Sequence, residues 1–302
     1  MLPTPDGTGI HVILNAVKVT TPTTSPLMAA AELQALLAGP AKPVVLDAGF
    51  DLADTFSGER SYAAGHVPGS LYVHLDRDLS AAKTGTNGRH PLPDRAVFAQ
   101  TAGRLGIGPD TTVVGLDRQG GAYAARLWWM LRWLGHARVF VLDGGFAAWT
   151  AAGGEVSTAP VAAVPAPPYP DRPQLVGRVD AAEVARRLGR SMVLDARSGE
   201  RFRGEKEPID PVAGRIPGAL NRFHASNLAP GGKFKTPSEL RSELEATLGG
   251  RAPAEVIHSC GSGVTACHNL LAMEHAGLGG SLLYPGSWSE WSADPSRPIA
   301  RG

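Results

Sequence analysis

The chain has 302 residues, 43% of them hydrophobic, and its 29 Lys and Arg nearly balance its 28 Asp and Glu. This near-neutral charge gives no electrostatic reason to expect nucleic acid or an anionic membrane as a partner. Two cysteines are too few for a disulfide framework, and no apolar run reaches the ~18–20 residues of a membrane span. These features predict a cytoplasmic protein of about two domains.

The first segment with a recognisable pattern follows a stretch that has none. We expect residues 1–24 to form a flexible tail, since they lack the basic segment of a signal peptide and any sustained apolar period. Residues Leu27 to Leu37 then predict a helix, with Ser25 as its cap and Pro26 in its first turn.

Further along the chain, short apolar runs alternate with helical patterns. "PVVLDA", "TTVVGLD" and "RVFVLDG" predict strands, while "RAVFAQTAGRLG" and "GAYAARLWWMLRWLG" predict helices. Runs of Val, Ile and Leu that do not alternate with polar residues are typical of parallel strands covered on both faces. The order of elements therefore predicts an α/β, three-layer domain with a central parallel sheet.

Three sequence blocks occur twice, in the same order and at nearly one spacing. "VLDA" stands at 45–48 and 193–196, "AGHVPGSL" at 64–71 is matched by "AGRIPGAL" at 213–220, and "GGFAAW" at 144–149 by "GSWSEW" at 286–291. The chain is therefore interpreted as a tandem duplication. We place the domains at 25–155 and 174–302, joined by a linker over 156–173 that is rich in proline and alanine.

Both cysteines lie in "VIHSCGSGVTACHN", residues 256–269. The pattern places Cys260 where a strand ends, with Gly261 and Gly263 in the turn and Thr265 as the cap of the next helix. Glycines in such a turn let successive backbone N–H groups face one anion, and the positive end of the helix adds to the same field. A cysteine there is predicted to be largely a thiolate and a nucleophile.

This stretch allows two other interpretations. Cys260 could be a small buried apolar residue, as we expect for Cys267 on the helix. A zinc site with the nearby histidines is disfavoured because no C-x₂₋₄-C spacing is present. We expect His268 and His275 to lie on the helix surface or to cover its core edge. Alignment of the repeats sets Asp117 opposite Cys260, and a polar residue in both copies favours a functional loop.

The motifs together resemble the two-domain rhodanese-like sulfurtransferases, which act on 3-mercaptopyruvate or thiosulfate. The resemblance extends from about Leu27 to the end and rests on "AGHVPG", "AGRIPG", "DGGFAAW", "PGSWSEW", "ERFRGEKEPIDPVAGRIPG" and above all "CGSGVT" at 260–265. It implies two rhodanese-like domains, of which the first is catalytically inactive, with Asp117 at the nucleophile position, and the second carries Cys260.

The resemblance also implies a reaction. Cys260 would take a sulfane sulfur from a donor, hold it as a persulfide among the N–H groups of Gly261, Gly263, Val264 and Thr265, and pass it on. No metal or cofactor is implied. The acceptor would be a thiol, with thioredoxin among the candidates, or cyanide.

The donor is interpreted from the charge of the loop. Relatives that use thiosulfate carry basic residues after the cysteine, whereas Gly261 and Ser262 are neutral, as in relatives that use 3-mercaptopyruvate. The Ser262 hydroxyl could bond the donor's ketone or pass a proton to the departing enolate. By resemblance Arg201 binds the donor carboxylate; the alternative is a solvated surface charge.

Departures from the family leave other possibilities open. The loop after Arg201 is shortened and its only cation is Lys206, Arg215 replaces a histidine, and His66 could reach the site but is expected to be structural. Thiosulfate as the main donor and a non-catalytic persulfide carrier or binding module stay as alternatives. A cysteine phosphatase is disfavoured, since its C-x₅-R pattern needs an arginine where this chain has Ala266.

Overall fold

The computed structural model of the protein describes residues 25–302. The predicted tail over residues 1–24 lies outside them. The described residues form two five-stranded parallel sheets, flanked by helices. The strands are β1 Leu27–Met28, β2 Val44–Asp47, β3 Leu71–Tyr72, β4 Val113–Leu116, β5 Val139–Leu142, β6 Gly177–Arg178, β7 Met192–Asp195, β8 Leu220–Asn221, β9 Val256–Ser259 and β10 Leu282–Leu283.

Eleven α-helices and two short 3₁₀ helices connect the strands within the described residues. The α-helices are α1 Ala30–Ala38, α2 Ser57–Ala64, α3 Leu75–Asp78, α4 Arg95–Arg104, α5 Ala124–Trp133, α6 Gly145–Ala151, α7 Ala181–Arg187, α8 Gly199–Arg203, α9 Pro237–Leu248, α10 Thr265–His275 and α11 Ser287–Trp291. The 3₁₀ helices are His224–Asn227 and Pro253–Glu255.

The two sheets share one strand order. It is β1-β5-β4-β2-β3 in the first and β6-β10-β9-β7-β8 in the second, which is the same order when each strand is replaced by its repeat. The inner strands β4, β7 and β9 are buried along their whole length, as expected for parallel strands with helices on both faces. The predicted duplication of a parallel α/β domain is confirmed.

The start of the first domain differs from the predicted helix. Leu27 and Met28 form an edge strand, where the carbonyls of Pro26 and Met28 accept the N–H groups of Val141 and Asp143. Ser25 Oγ accepts the Leu27 N–H at 3.1 Å and so caps no helix. The prediction of a helix from Leu27 was wrong, because pairing with β5 outweighs local helical propensity.

The proline-rich segment between the domains contains no helix or strand; α6 ends at Ala151 and β6 begins at Gly177. It lies along α4, where the N–H groups of Ala166 and Tyr169 donate to carbonyls of that helix at 2.8 and 2.9 Å. A side chain at Gly103 would collide with this segment. The segment is therefore anchored to the first domain.

Helices α5 and α10 pack against each other where the domains meet. Nine of the ten residues of α5 are buried, including Arg126, and this matches its largely apolar sequence. Both helices begin directly after the loops that follow β4 and β9. The interface therefore brings these two loops, and the side chains beside them, close together.

Candidate active site

Cys260 lies at the carboxyl end of β9, as the sequence predicts, and only 2% of its surface is exposed. Its Sγ accepts the N–H groups of Gly263 at 3.1 Å and Ser262 at 3.4 Å. Gly263 has φ +74°, and a Cβ there would collide with the Pro285 carbonyl, so the turn requires glycine. The loop turns backbone donors toward the sulfur.

The helix that follows the loop begins differently from the prediction. Thr265 is the first residue of α10 and Val264 precedes it as the N-cap, with no side-chain capping bond. The prediction that Thr265 caps the helix was wrong. Among the described residues, no backbone acceptor engages the N–H groups of Val264, Thr265 and Ala266. The start of α10 therefore carries three backbone N–H groups, next to the Cys260 loop, that engage no backbone acceptor in this part of the chain.

The "GSWSEW" motif supports the loop from behind. Ser287 Oγ accepts the Cys260 N–H at 3.0 Å, while the N–H groups of Trp288 and Ser289 donate to the carbonyls of Cys260 and Gly261. Ser287 has φ 52°, a left-handed conformation that is costly for a residue other than glycine. The motif thus fixes the backbone that carries the cysteine.

Cys260 opens into a cavity of about 330 Å³ that both domains line. The lining residues of the first domain are Leu52, Arg89, His90, Gln119, Ala122 and Tyr123. Those of the second are Arg197, Ser198, Arg201, Phe223, His224, Cys260, Gly261, Ser262, Val264 and Thr265. Every predicted site residue except Gly263 is in this lining, and Gly263 contacts the sulfur directly.

Ser262 contacts a histidine of the first domain that the sequence analysis missed. His90 Nδ1 lies 2.7 Å from Ser262 Oγ, and its Nε2 lies 3.6 Å from Asp76 Oδ1. Burial, reinforced by the positive charges of Arg89 and Arg126, lowers the pKa of His90 to about 2. The ring is therefore neutral, and its Nδ1 shares one hydrogen bond with the Ser262 hydroxyl, in the direction that the ring's tautomer sets.

His66, the histidine that the sequence analysis considered, has a structural position. Its ring stacks on Tyr62 at 4.1 Å and its Nδ1 bonds the Tyr62 carbonyl. The backbone of His66 pairs with Ser157, and the residue does not line the cavity.

Arg201 points into the cavity with only 16% of its side chain exposed. Its Nη2 donates to Glu207 Oε1 at 2.7 Å and to Asp210 Oδ2 at 3.0 Å. Asp210 also accepts Arg89 Nη1 at 2.5 Å, so one carboxylate joins an arginine from each domain. Lys206 is exposed and does not line the cavity.

These ion pairs shape the electrostatics of the cavity. Burial raises the pKa of Asp210 despite the nearby Arg89. Burial also acts to raise the pKa of Glu207, but the hydrogen bond from Arg201 and backbone donors lower it overall. A Cβ at Gly261 would lie 2.7 Å from Arg89 Nη2 and 3.6 Å from Arg201, so a side chain there would meet both guanidinium groups. The loop is neutral, and it faces two guanidinium groups that are paired with the carboxylates of Asp210 and Glu207.

Comparison with known proteins gives the family. A model of the rhodanese-like domain matches residues 29–152 and again residues 180–294. The chain belongs to the rhodanese-like family. It is 46% identical to the "Probable 3-mercaptopyruvate sulfurtransferase" of Pseudomonas aeruginosa, over 91% of this chain and 98% of that one. It is 33% identical to a bovine thiosulfate sulfurtransferase, over 85% and 88%.

A solved structure agrees with these relatives. The 3-mercaptopyruvate sulfurtransferase of Leishmania major superposes with a TM-score of 0.80 at 31% identity, over 90% of this chain and 75% of that one. The predictions of the family, the fold and a sulfurtransferase enzyme are confirmed. Within residues 25–302, no helix is long and apolar enough to cross a membrane.

The other cysteine and histidines of this rhodanese-like loop form no second centre. Cys267 is fully buried, its thiol donates to the Gly263 carbonyl at 3.3 Å, and burial raises its pKa to about 12. No group of metal-ligating side chains occurs in the described part of the chain. His268 is fully buried at the domain interface, which excludes the helix surface and leaves the alternative of a place at the core edge, whereas His275 is half-buried.

The first rhodanese-like domain has an equivalent loop after β4. The carboxylate of Asp117 accepts four backbone N–H groups at 2.8–3.0 Å, those of Gln119, Gly121, Tyr123 and Ala124. Asp117 is fully buried. A ring of backbone donors therefore surrounds an anion in this domain as well, but the anion is a fixed side chain.

Proposed function

We propose that Cys260 takes sulfane sulfur from 3-mercaptopyruvate and passes it as a persulfide to a thiol acceptor. The observation that carries this proposal is the composite cavity. In one place it holds a cysteine sulfur among backbone donors, a serine hydroxyl on a neutral histidine, and two arginines. The nucleophile then belongs to the domain of residues 174–302, and the domain of residues 25–155 is catalytically inactive but completes the site.

Binding of the donor follows from the arginines. A carboxylate of 3-mercaptopyruvate is suited to the guanidinium groups of Arg89 and Arg201, which flank Gly261. Asp210 holds both guanidinium groups in place and lowers their net charge, so that the donor carboxylate competes for the same donors. Arg89 thus supplies the second arginine that the shortened loop after Arg201 lacks.

Transfer of the sulfur needs little movement of protons. The Cys260 thiolate attacks the donor's thiol sulfur, the carbon–sulfur bond breaks, and its electron pair goes to the enolate of pyruvate. The thiol proton of the donor is the proton that the enolate carbon needs. Ser262 Oγ, held by His90 Nδ1 at 2.7 Å, lies in position to pass it.

After this transfer, Cys260 carries the sulfur as a persulfide within the loop. Its outer sulfur can accept the N–H groups of Val264, Thr265 and Ala266, which have no backbone acceptor within residues 25–302. An acceptor thiolate then attacks this sulfur, and the electron pair of the sulfur–sulfur bond returns to Sγ. Small thiols, thioredoxin and cyanide are the acceptors to compare. The cytoplasm, where both free cysteines stay reduced, is the compartment that fits this chemistry.

Thiosulfate is the second candidate donor, because Arg89 and Arg201 place two cations beside Gly261 that could face its two charges. The deciding experiment measures kcat/KM for both donors side by side, with pyruvate or sulfite as the product. We expect the value for 3-mercaptopyruvate to be at least about tenfold higher, since Ser262 and His90 have a role only in the enolate reaction. A higher value for thiosulfate would reverse the assignment, and one equivalent of pyruvate without turnover would indicate a carrier.

A further inference from the structure

Arg126 is a fully buried arginine of the first domain whose partners surround the Cys260 loop. It lies in the first turn of α5. Its Nη1 donates to the Gly263 carbonyl at 3.2 Å, and its Nη2 donates to the carbonyls of His90 at 3.1 Å and Leu79 at 3.4 Å. One guanidinium therefore joins the second domain's loop to two segments of the first domain.

The two carbonyls at the shorter distances belong to residues that contact the reacting groups. Gly263 donates its N–H to Cys260 Sγ at 3.1 Å, and the ring of His90 contacts Ser262 Oγ at 2.7 Å. Gly263 has φ +74° and no side chain, so its peptide groups reorient at low cost unless something holds them. Arg126 and the Cys267 thiol both donate to the carbonyl of Gly263, while the N–H of the same residue donates to the sulfur of Cys260.

The charge of Arg126 has no carboxylate partner within residues 25–302. The three hydrogen bonds given above go to backbone carbonyls, the thiol of Cys267 lies beside the guanidinium, and no ion pair to Arg126 occurs among the described residues. By contrast Arg132, two turns later on α5, is paired with Glu274 of the second domain at 3.0 Å. A buried guanidinium without an anion is costly in free energy, unless an anion arrives during function. In the proposed reaction such a negative charge arises on the sulfur of Cys260, whose loop Arg126 contacts at the Gly263 carbonyl.

We propose that Arg126 is a positioning residue for sulfur transfer, which holds Gly263 and His90 in register across the domain boundary and supplies the counter-charge for the sulfur anion on Cys260. This inference rests on the proposed role of Cys260 as the sulfur carrier. It makes the first domain part of the machinery through the backbone of the loop as well as through its side chains in the cavity.

The test compares Arg126→Met and Arg126→Lys with Arg132→Met in the full chain. Arg132→Met is the matched control, because it removes a cross-domain contact of the same helix that does not touch the loop. The measurements are the single-turnover rate of pyruvate release at saturating donor, the donor KM, the rate of Cys260 alkylation by neutral iodoacetamide at fixed pH, and thermal unfolding. Peptide mapping confirms which cysteine is alkylated.

We expect Arg126→Met to slow pyruvate release about 100-fold, as for loss of a preorganised anion-stabilising group, with KM changed less than about threefold. Alkylation of Cys260 should slow about tenfold. Arg126→Lys keeps the charge but cannot reach both carbonyls, so alkylation should recover while pyruvate release stays at least about fivefold slow. Arg132→Met should lower the unfolding temperature and leave both rates within about twofold.

Equal effects of Arg126→Met and Arg132→Met on the two rates would overturn the proposal and leave Arg126 as an interface residue. If Arg126→Met does not fold, Arg126→Lys decides, and a wild-type rate of pyruvate release would overturn the positioning role. Alkylation needs no sulfur donor. If the wild-type protein does not turn over 3-mercaptopyruvate, the proposed donor is wrong, and alkylation still decides whether Arg126 acts on Cys260.

Discussion

The loops that follow β4 and β9 occupy equivalent places in the two sheets but are filled differently. In the first, the Asp117 carboxylate takes four backbone N–H groups and is sealed from solvent. In the second, Cys260 Sγ takes two, and further donors of the loop have no backbone acceptor within residues 25–302. A saturated ring of donors stabilises a fold, whereas an unsaturated ring can bind an atom that comes and goes.

The loops also differ in what reaches them across the domain interface. The second domain's His268 donates Nε2–H to the Gly120 carbonyl of the first loop at 3.0 Å. The first domain's Arg126 donates to the Gly263 carbonyl of the second loop at 3.2 Å. The first loop contains its own anion, Asp117, and the residue that reaches it across the interface is the neutral His268. The second loop is proposed to hold an anion only transiently, on Cys260, and the residue that reaches it is the cationic Arg126. The two loops therefore share their geometry but differ in the charge of the residue that contacts them across the interface.

The largest effect is expected at the residue that distinguishes the loops. Cys260→Ser should abolish sulfur transfer, because a hydroxyl cannot hold sulfane sulfur, and should leave the fold intact. Intact-mass spectrometry after donor treatment, with peptide mapping, should place the added sulfur on Cys260 in the wild-type protein.

The second cysteine provides the control for this prediction. Cys267→Ser should keep most of the activity, since Cys267 is fully buried in α10 and its pKa is raised to about 12. Sulfur found on Cys267 would contradict the assignment of the nucleophile.

The second prediction concerns Asp117, the buried carboxylate of the first loop. Asp117→Asn replaces a carboxylate by one oxygen and one NH₂ group, so two of the four backbone donors lose an acceptor. At ~1–3 kcal/mol for each buried donor, the free energy of unfolding should fall by about 3 kcal/mol in urea titrations. The kcat of the folded variant should stay within about threefold of wild type. A large loss of kcat with unchanged stability would show that the first loop takes part in catalysis.

The third prediction concerns the arginines that the cavity shares. Arg201→Ala and Arg89→Ala each remove charge-assisted hydrogen bonds worth about 1.5–3 kcal/mol, so kcat/KM for 3-mercaptopyruvate should fall roughly 10- to 150-fold, mainly through KM. Arg203→Ala is the control, because Arg203 lies on the same helix as Arg201 and pairs with Glu205 at the surface. An unchanged kcat/KM in either cavity variant would remove that arginine from donor binding.

What the sequence predicted well is encoded locally. The unbroken runs of Val, Leu and Ile, the repeated blocks and the glycines beside Cys260 predicted the sheets, the duplication and the place of the loop. The first helix was placed too early, because Leu27 and Met28 pair with a strand more than a hundred residues away. Local propensity does not contain that contact.

The missed residues of the first domain share one property, since they reach Cys260 only through the docking of the two domains. Arg89 and His90 stand in "GRHPLP", a segment without a periodic pattern, about 170 residues before the loop that they contact. Asp210 lies in the shortened loop after Arg201, where the sequence analysis looked for cations. The sequence did contain a signal for the missed arginine. The loop after Cys260 carries no cation, so the cations that bind an anionic donor there must come from other segments of the chain.

The smallest expected effect is a pH dependence of stability that comes from His268, the neutral residue that contacts the first loop. Burial lowers the pKa of His268 to about 3, and the ring bonds the Gly120 carbonyl and Asn227. In the unfolded chain this group takes up a proton near pH 6.5, so below that pH the unfolded state binds more protons than the folded state. The stabilising contribution is complete above pH 6.5 and is lost as the pH falls toward 3. At pH 5 the loss from this residue is about 2 kcal/mol.

His268→Gln tests this prediction, because the amide can donate to Gly120 and accept from Asn227 but does not titrate. The free energy of unfolding is measured in urea at pH 7 and pH 5 for both proteins. The wild-type protein should lose about 2 kcal/mol more than the variant between these values. An equal loss would mean that His268 is protonated in the folded protein at pH 5. The partner of the first loop would then be a cation, as in the second loop, and the contrast in charge between the two halves would not hold.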